Sequence, residues 1–120
     1  MNDDLKQRVL QMFQHIDSSD WAKLQEHFHT DVEYRRPGYE AIHGLEELLD
    51  FYASKRIIKS GEHRLESIFY GPSGSSLSVT GSFKGSDRQG HPLSVRFCDV
   101  YVFENDKIIE RETFFSAPAV

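Results

Sequence analysis

In the segment "VRFCDVYVF", strand parity puts Asp99 on one face with Val95, Phe97, Tyr101 and Phe103. Burying that carboxylate ionised and alone would cost several kcal/mol, so it must be protonated, paired or functional. The neighbouring segment "IIERETFF" offers a pair, because Arg111 shares a face with Ile109, Thr113 and Phe115. An Asp99–Arg111 pair either sets strand register or tunes an acid/base carboxylate, and an adjacent guanidinium favours the ionised form. His63 in "GEHRLE" is the side chain best suited to move a proton near pH 7. The parity that buries Leu65 and Phe69 also turns it inward, as a proton carrier or as a hydrogen-bonded wall residue.

A second cluster lies at "EYRRPGYEAIHG", where Arg35 and Arg36 precede Pro37. The residue before a proline is pushed towards extended geometry, so Arg36 sits at a strand end. At a pocket edge it would bind an anionic group or stabilise an oxyanion; otherwise it is a solvated charge beside Glu33 or Glu40. Arg35 has the opposite parity and is the exposed one. Tyr34 and Tyr101 are hydrogen-bond donors to a ligand or fillers of the wall. Phe83, Phe97, Phe115 and Trp21 extend that wall, and Arg56 lies one helical turn after Tyr52 as a further candidate for substrate binding.

These residues need a scaffold. Leu5, Val9, Met12, Phe13 and Ile16 recur at helical spacing. "DSSD" breaks that helix and offers N-caps for a second, whose apolar stripe is Trp21, Leu24 and Phe28. "DVEY" alternates as a short strand. After Gly44, Leu45, Leu48, Leu49 and Tyr52 mark a third helix. From Gly61 the period becomes two, and "EHRLESIFY", "SLSVTGSFK", "PLSVRFCDVYVF" and "KIIERETFF" read as four strands joined by the turn-rich "GPSG", "GSDRQG" and "END". Helices first and strands afterwards predict an α+β domain over residues 1–120: an antiparallel meander, curled by its twist and covered by three helices. Gly81 removes a side chain in mid-strand, which leaves space on the inner face. The Cys98, Val100, Val102 face is also apolar and predicts a dimer contact.

Composition narrows the function. The chain has 120 residues and a net charge of −5, which argues against nucleic acid as a partner. No apolar run approaches membrane-spanning length, and the acidic start "MNDDLKQ" does not read as a secretory signal. The single cysteine, Cys98, fits a reducing cytoplasm. Nine Phe, five Tyr and one Trp predict an aromatic interior able to take a small, partly apolar molecule. No metal is expected, because "HFH" has no third ligand nearby. Cys98 lacks an adjacent base, and "GPSGSS" is a turn without the lysine and helix of a phosphate loop.

With "DSSDWAKLQEHFHTDVEYRRP", "GLEELLDFYA" and "CDVYVFENDKIIERETFF", the chain resembles the nuclear transport factor 2-like superfamily, in its ketosteroid isomerase and SnoaL-like polyketide cyclase branch. The resemblance implies a conical α+β barrel, often a homodimer through the sheet, that binds small hydrophobic molecules without metal or organic cofactor. It places Asp99 where steroid isomerases have a protonated oxyanion-hole carboxyl. Their general-base Asp, just before the proline, corresponds to Arg36, and their oxyanion tyrosine to Met12, so steroid isomerisation by that route is not expected. Limonene epoxide hydrolases share the cone, but Phe97 stands where they have arginine. The expectation is a cofactor-independent isomerase, cyclase or lyase in which Asp99, Arg111 and His63 handle protons. The alternative is a non-catalytic ligand-binding or adaptor domain of the same fold.

Overall fold

Leu5, Val9, Met12, Phe13 and Ile16 form the buried stripe of helix α1 (Asn2–Asp17) in a computed structural model that describes residues 2–56 and 58–117. Asp20 caps the next helix, α2 (Trp21–Leu24), its Oδ1 accepting from the Lys23 amide at 3.1 Å. α2 lasts one turn and tightens into a 3₁₀ turn at Gln25–His27. Phe28 therefore does not extend the helical stripe. It opens strand β1 (Phe28–Arg35) and pairs with Ile108, so strand pairing wins over local helical spacing. A two-residue strand β2 (Ile42–His43), which the sequence pattern does not reveal, pairs back onto β1. Helix α3 (Leu45–Asp50) runs into a π-helical turn at Phe51–Lys55, which buries the consecutive rings of Phe51 and Tyr52.

The meander follows as β3 (Ile58–Tyr70), β4 (Ser76–Asp87), β5 (Pro92–Glu104) and β6 (Lys107–Phe115). The strand order is β2-β1-β6-β5-β4-β3, with β1 parallel to β6 and the other pairs antiparallel. The fold is α+β, with the curved sheet covered by the helices, as expected. Two features correct the expectation of an antiparallel barrel. The edge strands β2 and β3 do not pair, so the sheet is open, and β1 adds a parallel ladder.

β4 and β5 keep strict alternation, which buries Leu77, Val79 and Phe83 on one strand and Val95, Phe97, Asp99, Tyr101 and Phe103 on the other. Bulges break the parity elsewhere. In β3 the register slips between Leu65 and Ser67, so Ile68 packs on the core and Phe69 is 58% exposed, contrary to the inward placement expected of it. In β6 the slip skips Ile109 and leaves Ile108 fully buried on the same side as Arg111. The space at Gly81 is also taken: an added Cβ would lie 2.3 Å from the Arg64 carbonyl oxygen and 3.0 Å from the Phe97 ring. The glycine admits its neighbours rather than a ligand.

Candidate functional site

Tyr101, Arg111 and Thr113 converge on Asp99 because β5 and β6 pair in register, Tyr101 opposite Arg111 and Asp99 opposite Thr113. Asp99 is completely buried and accepts from all three. The Tyr101 hydroxyl donates to Oδ2 at 2.6 Å, as do Arg111 Nη2 at 2.9 Å and Nε at 3.2 Å, while Thr113 donates to Oδ1 at 2.5 Å. With Thr113 donating there, Tyr34 donates to Thr113 at 2.8 Å and accepts from Arg36 Nη1 at 3.4 Å. A hydrogen-bonded line thus runs from the Arg36 bend to Asp99. Arg111 also donates through Nη1 to Tyr52 and lies 4.5 Å above the Tyr34 ring. Burial opposes the Arg111 charge, but Asp99 overrides it and holds the guanidinium well above its ordinary value. Burial pushes the Tyr52 hydroxyl up to about 12 against the pull of Arg111, so it is a neutral donor and acceptor at neutral pH.

The second cluster is a dyad. Asp17, the last residue of α1, grips His63 twice: Oδ2 accepts the His63 amide at 2.8 Å, and Oδ1 meets ring Nδ1 at 2.6 Å. Rings of Phe13 and Phe83, each 4.7 Å away between centroids, fix the imidazole plane. Burial lowers the His63 pKa, partly offset by Asp17, so the ring is neutral at pH 7 with Nδ1–H donated to the carboxylate. Nε2 is left as the basic nitrogen, and His63 lines the interior cavity.

That cavity is small, about 20 Å³, room for about one water molecule. Its walls bring together Asp99, His63, Arg111, Tyr34, Arg36 and Arg56. Phe83, Phe97 and Phe115 complete the apolar side. Arg36 is buried, not a solvated loop charge; its guanidinium lies 5.2 Å from both Phe51 and Phe115 and 5.5 Å from Tyr39. Arg35 is the exposed one, bridging Glu33 and Glu112. Arg56 is buried at 3% exposure, stacked 5.1 Å from Tyr52 and 5.7 Å from Trp21.

The model of the SnoaL-like domain matches residues 9–111. The chain belongs to the SnoaL-like domain family. Solved structures agree in fold at low identity. A nuclear transport factor 2-like protein of unknown function from Burkholderia pseudomallei has a TM-score of 0.82 at 18% identity, over 94% of this chain and 91% of the other. A candidate SnoaL-like polyketide cyclase from Jannaschia sp. CCS1 gives 0.80 at 16%, over 95% and 86%. TerC, co-crystallised with polyporic acid, gives 0.82 at 16%, over 94% and 92%. No curated protein matches the sequence.

Two of the residues singled out in sequence do not reach the cavity wall of this SnoaL-like domain. Trp21 stacks behind Tyr52 at 5.8 Å, and Tyr101 lies beneath Asp99 with no exposure. Both support residues that do line the wall. Sequence reasoning missed Asp17, Tyr52 as a hydrogen-bonding group, and the Thr113 hydroxyl. Among the described residues no group of three or more metal-ligating side chains occurs, and His27 instead contacts His15, Nε2 to Nδ1 at 2.8 Å. Cys98 lies on the outer face of β5, and burial raises its thiol pKa. Among the described residues no helix is long and apolar enough to cross a membrane.

Proposed function

We propose that this SnoaL-like domain is a small-molecule isomerase, cyclase or lyase that works by acid/base chemistry on a partly apolar carbonyl compound. The observation that carries this is His63 on the cavity wall, held from behind by Asp17. His63 is neutral, its tautomer is fixed by Asp17, and its second nitrogen is free to take a proton from carbon and return it. Asp99 is the carboxylate that holds Arg111, and Arg111 with Tyr52 stabilises the oxyanion that develops on the substrate carbonyl. Arg36 occupies the bend where steroid isomerases have their base, so proton abstraction passes to His63. The aromatic wall of Phe83, Phe97 and Phe115 takes the apolar part. The likeness to a candidate polyketide cyclase and to a protein crystallised with an organic compound supports a small organic ligand.

The test is exchange of carbon-bound protons in D₂O, followed by NMR for a panel of small ketones and enones. Wild type should exchange a hit, and His63→Gln should slow exchange by about 10²- to 10⁴-fold while ligand binding persists. A specific observation favours a second reading, an adaptor domain that does no chemistry: the cavity, at about 20 Å³, is nearly filled by its own side chains. Absence of both binding and exchange across the panel would select that reading, and binding without exchange would select a non-catalytic ligand-binding domain. In either case the outer sheet face, with Val100 and Phe114 exposed, is the surface proposed for a homodimer, and the single cysteine supports a cytoplasmic setting.

A further inference from the structure

At about 20 Å³ the cavity has room for a water molecule and for nothing that the proposed chemistry would act on, so part of its wall has to move. The sheet behind it cannot, because β4 and β5 alone are paired at eleven positions. Three segments close the other side. The end of α1 is tied to β3, since Asp17 Oδ2 accepts the His63 amide at 2.8 Å. The turn at Phe51–Lys55 is tied at its end: the Arg56 amide donates to the Phe51 carbonyl at 3.0 Å, and the Arg56 carbonyl accepts from Arg88 Nε at 2.9 Å. The third segment, residues 36–41, joins β1 to β2 and rests on a ladder of two positions, Glu33 opposite His43 and Tyr34 opposite Ile42. It runs along the surface, with Gly38 and Glu40 exposed, while Arg36 at its start reaches inward to line the cavity. Its inner contacts are made largely by rings. The Arg36 guanidinium lies 5.2 Å from both Phe51 and Phe115 and donates to the Tyr34 hydroxyl at 3.4 Å, and Tyr39 meets Phe51 edge-on at 5.0 Å. Side-chain contacts of this kind part without breaking a strand ladder.

We propose that residues 36–41 form the entry lid of the cavity and that Arg36, stacked against Phe115 of β6, is its latch. This inference rests on the reading that a small molecule reaches the cavity, and it adds the route. Opening carries Arg36 and Tyr39 off Phe51 and Phe115 together and joins the space they leave to the cavity. The Arg36 charge passes into water as it leaves, which offsets the lost ring contacts. Past β2, the Gly44 amide donates to the Val32 carbonyl at 2.7 Å, which keeps α3 in place while the lid moves. His63 and Arg111 also stay, each held by a carboxylate outside the lid, Asp17 and Asp99. The opened lid, rather than the closed cavity, then sets the size of molecule admitted, and Arg36 and Phe115 act at entry rather than in proton transfer.

The experiment is NMR of solvent exchange at the arginine Nε–H groups of the full chain, with no ligand added. The Nε–H groups of Arg36 and Arg56 are both buried, and both residues line the cavity, so one serves as the reference for the other. Arg36 should exchange at least about tenfold faster than Arg56, as expected where a local opening exposes one group and not its neighbour. Phe115→Ala removes one ring from the latch and should speed Arg36 by roughly three- to thirtyfold while Arg56 keeps its rate. If that variant does not fold, the wild-type ratio still decides. Equal exchange at the two arginines overturns the proposal. So does a folded Phe115→Ala protein in which Arg36 is no faster, or in which both arginines speed up alike. Exchange of carbon-bound protons separates the lid from the function proposed above. An opening at Arg36 with no His63-dependent exchange of any ketone or enone would overturn the chemistry and leave the lid standing. His63-dependent exchange in a protein whose two arginines exchange alike would do the reverse.

Discussion

Replacing Asp99 with Asn removes one charge from a pair in which both side chains are almost wholly withdrawn from water, at 1% and 4% exposure. Solvent screening does not soften the loss, so the figure for an uncompensated buried partner applies, about 3–5 kcal/mol. Unfolding entropy near 2.1 cal/mol/K per residue gives about 0.25 kcal/mol/K for 120 residues, so the melting temperature should fall by roughly 12–20 °C. Arg111→Met alone should cost a similar amount, because it strands the Asp99 carboxylate with only Tyr101 and Thr113 as donors. The double variant should be more stable than the sum of the single losses by about 2–3 kcal/mol, the upper range for coupled neighbours. Urea unfolding of the four proteins, followed by circular dichroism, measures the cycle. Losses below about 1 kcal/mol in both single variants, or strict additivity, would show that Asp99 does not anchor Arg111, and the oxyanion role given to Arg111 would lose its footing.

Three further outcomes are expected. Gly81→Ala should destabilise the fold by about 1–3 kcal/mol in the same urea assay, because its Cβ collides with the backbone carbonyl of Arg64; an unchanged midpoint would mean the strands are not that close. Burial, with His15 adding to it, lowers His27 to about 4, below its ordinary value near 6.5, so the unfolded chain takes up the proton first. The associated stability is complete above about pH 6.5 and is lost as pH falls towards 4; His27→Gln should flatten the change between pH 7.5 and 5, and equal slopes in both proteins would refute this. Phe114→Glu should convert a homodimer to monomer in sedimentation without altering the fold, and a wild type that is already monomeric at 100 µM, about the working range for association, would exclude the outer face as an interface.

The four long strands were legible because the apolar pattern changes to period two from Gly61 onward between turn-rich linkers, and β5 in particular buries the face that the parity of Asp99 selects. Asp99 stood out for the same reason: it is the charged residue on an apolar face. The proline after Arg36 marks the strand end but leaves open whether the guanidinium turns inward or into solvent, and only the packing of Phe51, Tyr39 and Phe115 around it shows that it is buried. Asp17 was hidden, since nothing local distinguishes an acid at the end of α1 from any solvated helix terminus; only the packing of α1 against β3 brings it to His63. Ile109 and Phe69 were misplaced because a bulge changes parity without leaving a mark in residue type. Phe28 was read as helical because its spacing suits a helix, and its partner Ile108 is eighty positions away.

That distant partnership sets the order in which the protein can be built. β3 to β6 can zip together by successive hairpins, each closing a short loop. β1 must wait for β6, since the strand beside it is the last of the sheet, and closing so large a loop is slow. Tyr34 and Arg36 ride on or beside β1, Arg111 and Thr113 on β6, so the wall they share does not exist while the chain is still emerging from the ribosome. A half-made chain that lacks β6 has the helices and the start of the meander but not the pairing that completes this wall. Whatever the finished cavity binds would stabilise only chains that have completed this last pairing, and a ligand for it would act as a selective test of complete synthesis and folding.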